Sequence, residues 1–279
     1  MASGFLCPLF QFATHVGMKK MNHRIVKMKR AAILAAALFV AAGAMPGRAQ
    51  TAATSTNTHW QSSVNVGGSL TRGNSDTTLF SAGITTEKKW RADSLAMGAD
   101  GLYGESKLSG QSKSTETADQ LHGFAQYNRT ISTNFYGYGR AEGLHDGIAD
   151  VQYRLTLAPG AGYYIIKNPR IDLSVEAAPS YITEKLDGHY ESYAALRLAQ
   201  KFHWAISPKS KYWETIEYLP QVDQFGNYIV NFETGVEAAL NNNNKLTLRT
   251  VLQDTYNNAP ALNHLKNDLK LIVGIAYKF

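Results

Sequence analysis

The sequence predicts an all-β protein, a 12-stranded antiparallel transmembrane β-barrel of the bacterial outer membrane. Apolar and polar residues alternate in twelve segments between Trp60 and Phe279, with the two-residue period of a β-strand. Each segment is long enough for a tilted membrane strand, which needs about 9–11 residues. Aromatic residues gather at the ends of these segments, as they do at the two interfaces of membrane barrels.

The last segment, Asn267 to Phe279, shows the alternation most clearly. Its apolar phase consists of Leu269, Leu271, Val273, Ile275, Tyr277 and Phe279. Lipid offers no hydrogen-bonding partner for an open sheet edge, so strands of this type must close into a barrel. Because this strand ends on the aromatic Phe279, we expect the barrel-assembly machinery to be a partner.

The segment before the predicted barrel has the pattern of a signal peptide, residues 1–49. A basic region from Met18 to Arg30 precedes an apolar run from Ala31 to Ala44, and small residues follow. The apolar run is too short for a permanent membrane helix. We predict cleavage after Ala49, with Ala44 as the alternative, then a flexible lead-in over residues 50–59 and a barrel domain over residues 60–279.

The net charge of +6 comes from this leader. Residues 1–49 contain seven of the 28 basic residues and no acidic one, which leaves 21 basic against 22 acidic residues. The remaining chain is therefore close to neutral, and we expect no nucleic-acid partner. The single cysteine, Cys7, lies in the leader, so no disulfide is expected in the exported chain.

The predicted strands follow one another along the chain with compact connections on one side. Their bounds are 60–71, 77–90, 94–105, 119–129, 134–144, 152–166, 171–183, 190–204, 211–221, 228–241, 245–254 and 267–279. The fifth strand has the weakest pattern, because three glycines blur its phase. An even number of strands puts both chain ends on the periplasmic side, where outer-membrane barrels have short turns. Longer connections are predicted on the outer side, at 106–118, 145–151, 184–189, 222–227 and 255–267.

Three short motifs follow one another along the predicted barrel: Gly73-Asn74-Ser75-Asp76-Thr77, Glu217-Tyr218-Leu219-Pro220 and Gly274-Ile275-Ala276-Tyr277-Lys278-Phe279. With these motifs the chain resembles the salt-induced outer-membrane protein family of Gram-negative bacteria, a domain family of unknown function. The resemblance covers about Trp60 to Phe279. It implies an outer-membrane barrel and brings no catalytic residues.

The polar phase of the strands is expected to face the lumen. The candidate lumen-facing residues are Glu176, Arg197, Glu233, Glu237 and Arg249. Both signs of charge occur there, which suggests ion pairs across the lumen. Twelve strands enclose a space between those of filled eight-stranded barrels and open porins, so a narrow pore and a lumen plugged by side chains both fit.

The predicted outer loops and their flanks contain eleven acidic and five basic residues. A ring of carboxylates at a mouth attracts cations, so we predict a weak cation preference if the barrel conducts. Outer-membrane lipids and lipopolysaccharide are further expected partners, and small ions are candidate solutes.

Catalytic, cofactor and metal sites are not expected. A lipid-cleaving barrel needs a histidine on the outward phase beside a serine. Here His122 and His203 fall on the inward phase, while His145, His189 and His264 are predicted in loops. No spacing of acidic residues indicates a tight metal site.

The sequence thus predicts a narrow channel or a structural envelope protein of the cell outer membrane, linked to salt or osmotic stress. One alternative is a surface receptor or adhesion barrel with a plugged lumen. Another is a soluble periplasmic carrier resembling lipocalins, in which the apolar phase would point inward.

Overall fold

A computed structural model describes residues 59–71, 75–108 and 113–279. It contains twelve strands: β1 Gln61–Thr71, β2 Ser75–Trp90, β3 Asp93–Leu108, β4 Thr115–Thr130, β5 Phe135–Asp146, β6 Val151–Lys167, β7 Ile171–Leu186, β8 His189–Ser207, β9 Ser210–Pro220, β10 Tyr228–Ala239, β11 Leu246–Asn257 and β12 Asn267–Lys278. The predicted signal peptide and residues 50–58 of the predicted lead-in lie outside the described residues. None of the described segments forms a helix with the length and hydropathy of a membrane span.

Every strand pairs antiparallel with its neighbour in sequence, and β1 pairs with β12 to close the sheet into a barrel. At this seam, Ser63 to Gly67 pair with Lys278 to Gly274, and Ser62 exchanges backbone hydrogen bonds with Phe279. Closure gives every strand two hydrogen-bonded neighbours, which a hydrocarbon environment requires. The predicted 12-stranded transmembrane barrel is confirmed.

The two faces of the strands have opposite environments. On the outside, the side chains of Leu271, Leu248 and Val273 are exposed, with Leu271 at 59%. On the inside, Arg197 is 2% exposed and Glu176 is also buried. The soluble carrier is therefore the wrong alternative, because a carrier in water would bury these apolar side chains and expose the charges.

Aromatic side chains form two bands on the outer surface. Rings of Tyr218, Tyr228 and Tyr256 contact one another near the outer ends of β9, β10 and β11, with centroids 5.5 and 5.9 Å apart. Near the opposite rim, Phe202 contacts Tyr212 and Tyr277 stacks on Phe279. Such girdles mark the two membrane interfaces of a barrel, between which lies an apolar band about 25 Å tall.

The predicted loop from Glu184 to His189 is wrong. Strands β7 and β8 continue to a two-residue turn of Asp187 and Gly188, whose φ angles are 48° and 78°. Positive φ at both positions is the geometry of a type I′ hairpin turn, which matches the twist of the strands. The connection between β3 and β4 is also shorter than the predicted range 106–118, because β3 extends to Leu108 and β4 begins at Thr115. The strand pairing thus continues further on this side of the barrel than the sequence predicted.

Candidate functional site: the barrel lumen

Large aromatic side chains lie flat against glycines on one part of the inner wall. Tyr136 pairs across strands with Gly162, and Tyr138 pairs with Gly160. A Cβ atom at Gly162 would overlap the Tyr136 ring, so only glycine leaves the ring its place. Trp213 and Gly235 repeat the arrangement between β9 and β10. The glycines of β6 and β10 therefore create the space for rings inside the barrel.

Arg197 of β8 is the centre of a buried network. Its Nη1 donates to the hydroxyl of Tyr138 at 2.9 Å and to Oε2 of Glu176 at 2.8 Å, and its Nε donates to Oε2 of Glu217 at 2.5 Å. One guanidinium thus joins β5, β7 and β9. A buried cation of this kind is stabilised only if its hydrogen bonds and charge are matched, as they are here.

Glu176 is the second centre of the network. Its Oε1 accepts hydrogen bonds from Lys201 at 2.7 Å, from Tyr136 at 2.9 Å and from Gln126 at 3.3 Å. Together with Arg197, these donors surround the carboxylate completely enough that its side chain is 1% exposed. The lumen beside β4 to β9 is therefore filled by a polar core.

His122 of β4 connects two carboxylates on the neighbouring strands. Its Nδ1 lies 3.0 Å from Oδ1 of Asp100, and its Nε2 lies 3.1 Å from Oε1 of Glu142. Arg140 contacts the same Glu142 at 2.6 Å. Both charged residues at the glycine-rich middle of β5, Arg140 and Glu142, therefore point inward.

Glu233 of β10 is held by neutral donors. Its carboxylate accepts from the indole of Trp213 at 2.8 Å and from the amide of Gln253 at 2.9 Å. Arg249 lies over the Trp213 ring, 4.6 Å from its centroid, and its Nε is buried without a hydrogen-bond partner among the described residues. Glu233 therefore forms no ion pair within the described part of the chain.

Glu237 lies toward the inner end of β10 and is surrounded by lysines. Lys278 contacts its Oε1, and Lys211 lies 3.6 Å from the same oxygen. The Lys211 side chain is half exposed, whereas that of Glu237 is buried. The inner rim at β9 to β12 is thus more basic than the middle of the lumen.

Lys270 of β12 reaches across the outer part of the lumen. Its ammonium donates to Oε1 of Gln120 on β4 at 2.9 Å, and it lies 3.2 Å from Asp268 and 3.6 Å from Asp146. Above it, Nε2 of His264 lies 3.4 Å from Asp150, so the β11–β12 connection meets the β5–β6 connection over the mouth.

Two of the acidic residues that the sequence placed among the outer loops are buried in strands. Asp146 ends β5 and Glu184 lies in β7, and both are buried. Glu184 pairs with Arg154 at 2.6 Å and accepts a hydrogen bond from Tyr193 at 2.9 Å. These carboxylates are paired inside the barrel, so they do not belong to a solvated ring around the mouth.

The side of the lumen next to β2 and β3 is open to water. The inward side chain of Asp100 is 50% exposed, in contrast to the 3% of Arg197. Thr85 and Lys89, on the inward phase of β2, are also exposed. The packed core therefore occupies one side of the cylinder and leaves a polar strip along the other.

All five residues predicted to line the lumen lie on the inner face, but they do not form one group. Arg197 and Glu176 contact each other at 2.8 Å, whereas Glu233, Arg249 and Glu237 belong to the two clusters near β10. Sequence reasoning missed the tyrosines Tyr136 and Tyr138, whose paired glycines were the available signal.

Histidines and acidic residues are distributed over several strands and connections in the part of the chain that the structure describes. No group of three or more His, Cys, Asp or Glu side chains there is arranged to hold a metal ion. His145 lies in β5 and His189 begins β8, so their predicted loop positions are wrong. His145 Nδ1 lies 2.8 Å from the carbonyl oxygen of Gln152, which is a structural contact.

The sequence profile of one family matches residues 64–279, that is, nearly the whole barrel. Its description is "Protein of unknown function, DUF481". The chain belongs to this family. The match begins within β1 and runs to Phe279, so it includes all the lumen clusters described above. No curated protein matches the chain in sequence.

Several solved structures are similar in fold to this member of the family. The KdgM porin in complex with disordered oligogalacturonate is 7% identical, with a TM-score of 0.44, over 78% of this chain and 99% of that one. The NanC porin is 7% identical, with a TM-score of 0.45, over 78% and 98% of the two chains. The COG4313 outer membrane channel from Pseudomonas putida F1 is 12% identical, with a TM-score of 0.47, over 85% and 100%.

Proposed function

We propose that this protein is an integral channel of the bacterial outer membrane that passes small ions, with a weak preference for cations, through a narrow polar path beside β2 and β3. The observation that carries the proposal is the half-exposed carboxylate of Asp100 inside the barrel. It lies opposite the closed core around Arg197. A water-exposed charge in a lumen whose other side is packed marks the part through which ions can move.

The charges along this path support the preference. On this strip Asp100 contacts His122 and no lysine or arginine within the described residues, and the exposed Lys89 is paired with Glu87 at 3.2 Å. Glu233, which faces the lumen from β10, is held by neutral donors. The cations Arg197 and Arg154, in contrast, are buried against carboxylates. Carboxylates that are exposed in a lumen favour cation passage. The basic inner rim at Glu237 keeps the preference weak.

Current through planar lipid bilayers separating unequal KCl concentrations tests the proposal. The expected result is channel current whose reversal potential is displaced from zero toward the equilibrium potential of potassium. Asp100→Asn should lower the ratio of potassium to chloride permeability. Glu214→Gln is the matched control, because Glu214 lies on the outer face beside Tyr212 and its loss removes the same charge outside the lumen. Anion preference of the wild type would contradict the proposal.

The second candidate function is a receptor or adhesion barrel with a closed lumen. The contact of His264 with Asp150 over the mouth favours it, because it joins connections on opposite sides of the cylinder. Absence of current above that of a bare bilayer would favour this candidate. A link to salt or osmotic stress is part of the proposal only as a physiological setting, to be tested by growth of a deletion strain at high salt.

The proposed partners follow from the outer surface of the barrel and from its last strand. Outer-membrane lipids would contact the apolar belt, with lipopolysaccharide at the outer tyrosine girdle. The barrel-assembly machinery would recognise β12, whose outward side chains Leu269 to Tyr277 are exposed and which ends beside Phe279. Phe279→Ala keeps the backbone hydrogen bonds with Ser62 and should slow membrane insertion while changing the stability of the folded barrel little, which separates recognition from folding.

A further inference from the structure

The ammonium group of Lys270 occupies a cage of oxygen atoms in the outer lumen. The cage consists of Oε1 of Gln120, Oδ2 of Asp268 and Oδ2 of Asp146, at 2.9, 3.2 and 3.6 Å from Nζ. These residues come from β4, β12 and β5. Strands β12 and β4 are separated by three strands around the barrel, so the lysine spans the lumen to reach its partners.

Asp146 is held in place independently of Lys270. Its Oδ1 accepts hydrogen bonds from the backbone N–H groups of Ile148 and Ala149 at 3.1 and 3.0 Å, in the turn that follows β5. Its Oδ2 is thereby directed at the ammonium group. The side chain of Asp146 is 8% exposed and that of Lys270 is 15% exposed, so the pair is largely removed from bulk water.

We propose that Gln120, Asp146 and Asp268 form a binding site for small cations on the path through the barrel, and that Lys270 is its tethered occupant. The ligand class is a primary ammonium group or an alkali cation of similar size, because the cage offers two carboxylates and an amide oxygen around one positive charge. The inference rests on the proposed channel function and names a site along it. With Lys270 bound, the site is filled and the outer lumen is constricted.

Vacating the site provides the test. Lys270→Ala removes the chain beyond Cβ, which has the composition of n-propylamine, so n-propylammonium is the probe that refills the cage. The expected wild-type current is smaller than that of Lys270→Ala, and millimolar n-propylammonium should block the variant back toward the wild-type level. Tetramethylammonium, which has no N–H donor, should block weakly. Asp146→Asn combined with Lys270→Ala should abolish the block.

Lys266→Ala is the matched control. Lys266 lies in the β11–β12 connection, where its ammonium donates to Asn258 at 2.9 Å, outside the cage. This control should neither raise the current nor create sensitivity to n-propylammonium. If Lys270→Ala behaves like Lys266→Ala in both respects while the wild type conducts, the cation site is overturned and the channel function stands.

A second readout does not need current. Addition of n-propylammonium should raise the heat-unfolding temperature of Lys270→Ala, measured by the loss of heat-modifiable migration on gels, and should leave the double variant unchanged. If no variant conducts but this shift is present, the cation site stands and the channel function fails. If the shift is absent, the site is overturned.

Discussion

Replacing Arg197 with methionine should destabilise the barrel more than any other single charge removal in the lumen network. The change removes a cation that is 2% exposed and contacts Tyr138, Glu176 and Glu217. Methionine fills part of the volume of the arginine side chain but carries no charge to neutralise the carboxylates of Glu176 and Glu217. Among the described residues, Glu217 would keep only the hydrogen bond from Asn231 at 3.2 Å, and Glu176 would keep the one from Lys201.

The size of the effect follows from the two carboxylates. A hydrogen bond to a charged group contributes about 1.5–3 kcal/mol, and Arg197 makes two of them to carboxylates. Breaking a buried ion pair by removing one partner costs about 3–5 kcal/mol, because the remaining charge is left in a poorly solvated position. Since Lys201 still neutralises Glu176, the loss is dominated by Glu217. We expect the free energy of unfolding to fall by about 3–5 kcal/mol.

Urea unfolding in phospholipid vesicles, followed by tryptophan fluorescence, measures this loss. Arg129→Met is the matched control, because its side chain is 68% exposed and lies 3.7 Å from Asp93, so about 0–1 kcal/mol is expected. Adding Glu217→Gln to Arg197→Met should recover part of the loss by removing the unpaired charge. Equal effects of the two arginine variants, or no recovery in the double variant, would refute the reasoning.

Two further substitutions test the inner wall and the outer belt. Gly162→Ala should lower the free energy of unfolding by about 1–3 kcal/mol through overpacking against Tyr136. Gly139→Ala should have little effect, because no atom beyond its two chain neighbours lies within 4 Å of the position that its Cβ would take. Leu271→Lys should cost about 2–4 kcal/mol by placing a charge in lipid. Thr85→Lys, on the exposed inward phase, should cost less; the reverse order would mean that the faces are misassigned.

The strands were predictable because a sheet between lipid and a polar lumen requires apolar and polar residues to alternate along each strand. Leu269, Leu271 and Val273 fix which phase of the strand faces lipid. The observed β12 agrees with the predicted segment to within one residue. Even the glycine-rich β5 was located. Its blurred pattern has a physical cause, since outward glycines such as Gly139 and inward tyrosines such as Tyr138 reverse the usual sizes on the two faces.

The outer hairpin ends were less predictable. Beyond the apolar band the outward side chains Thr183, Lys185 and Ser192 are as polar as the inward ones, so the alternation disappears while the backbone ladder continues. For this reason the sequence placed Glu184 in a loop, although it is buried in β7.

Phase alone predicted that Arg197 and Glu233 face inward, but it could not predict their partners. Partnership depends on strand register and on the curvature of the closed sheet, which brings together residues as distant as Gln120 and Lys270, 150 positions apart. The filled core on one side and the open strip on the other likewise result from side-chain lengths across the lumen, which no local pattern encodes.

The most direct measurement of the two faces is the accessibility of nitroxide labels on single cysteines introduced into the exported chain, which has none of its own, in lipid vesicles. Labels at L248C and L271C should be relaxed by dissolved oxygen and shielded from a water-soluble nickel chelate, as lipid contact requires. Labels at T85C and D100C should respond to the nickel chelate. The opposite result would contradict an apolar belt around a polar lumen: labels at L248C and L271C that respond to the nickel chelate, and labels at T85C and D100C that respond to oxygen alone.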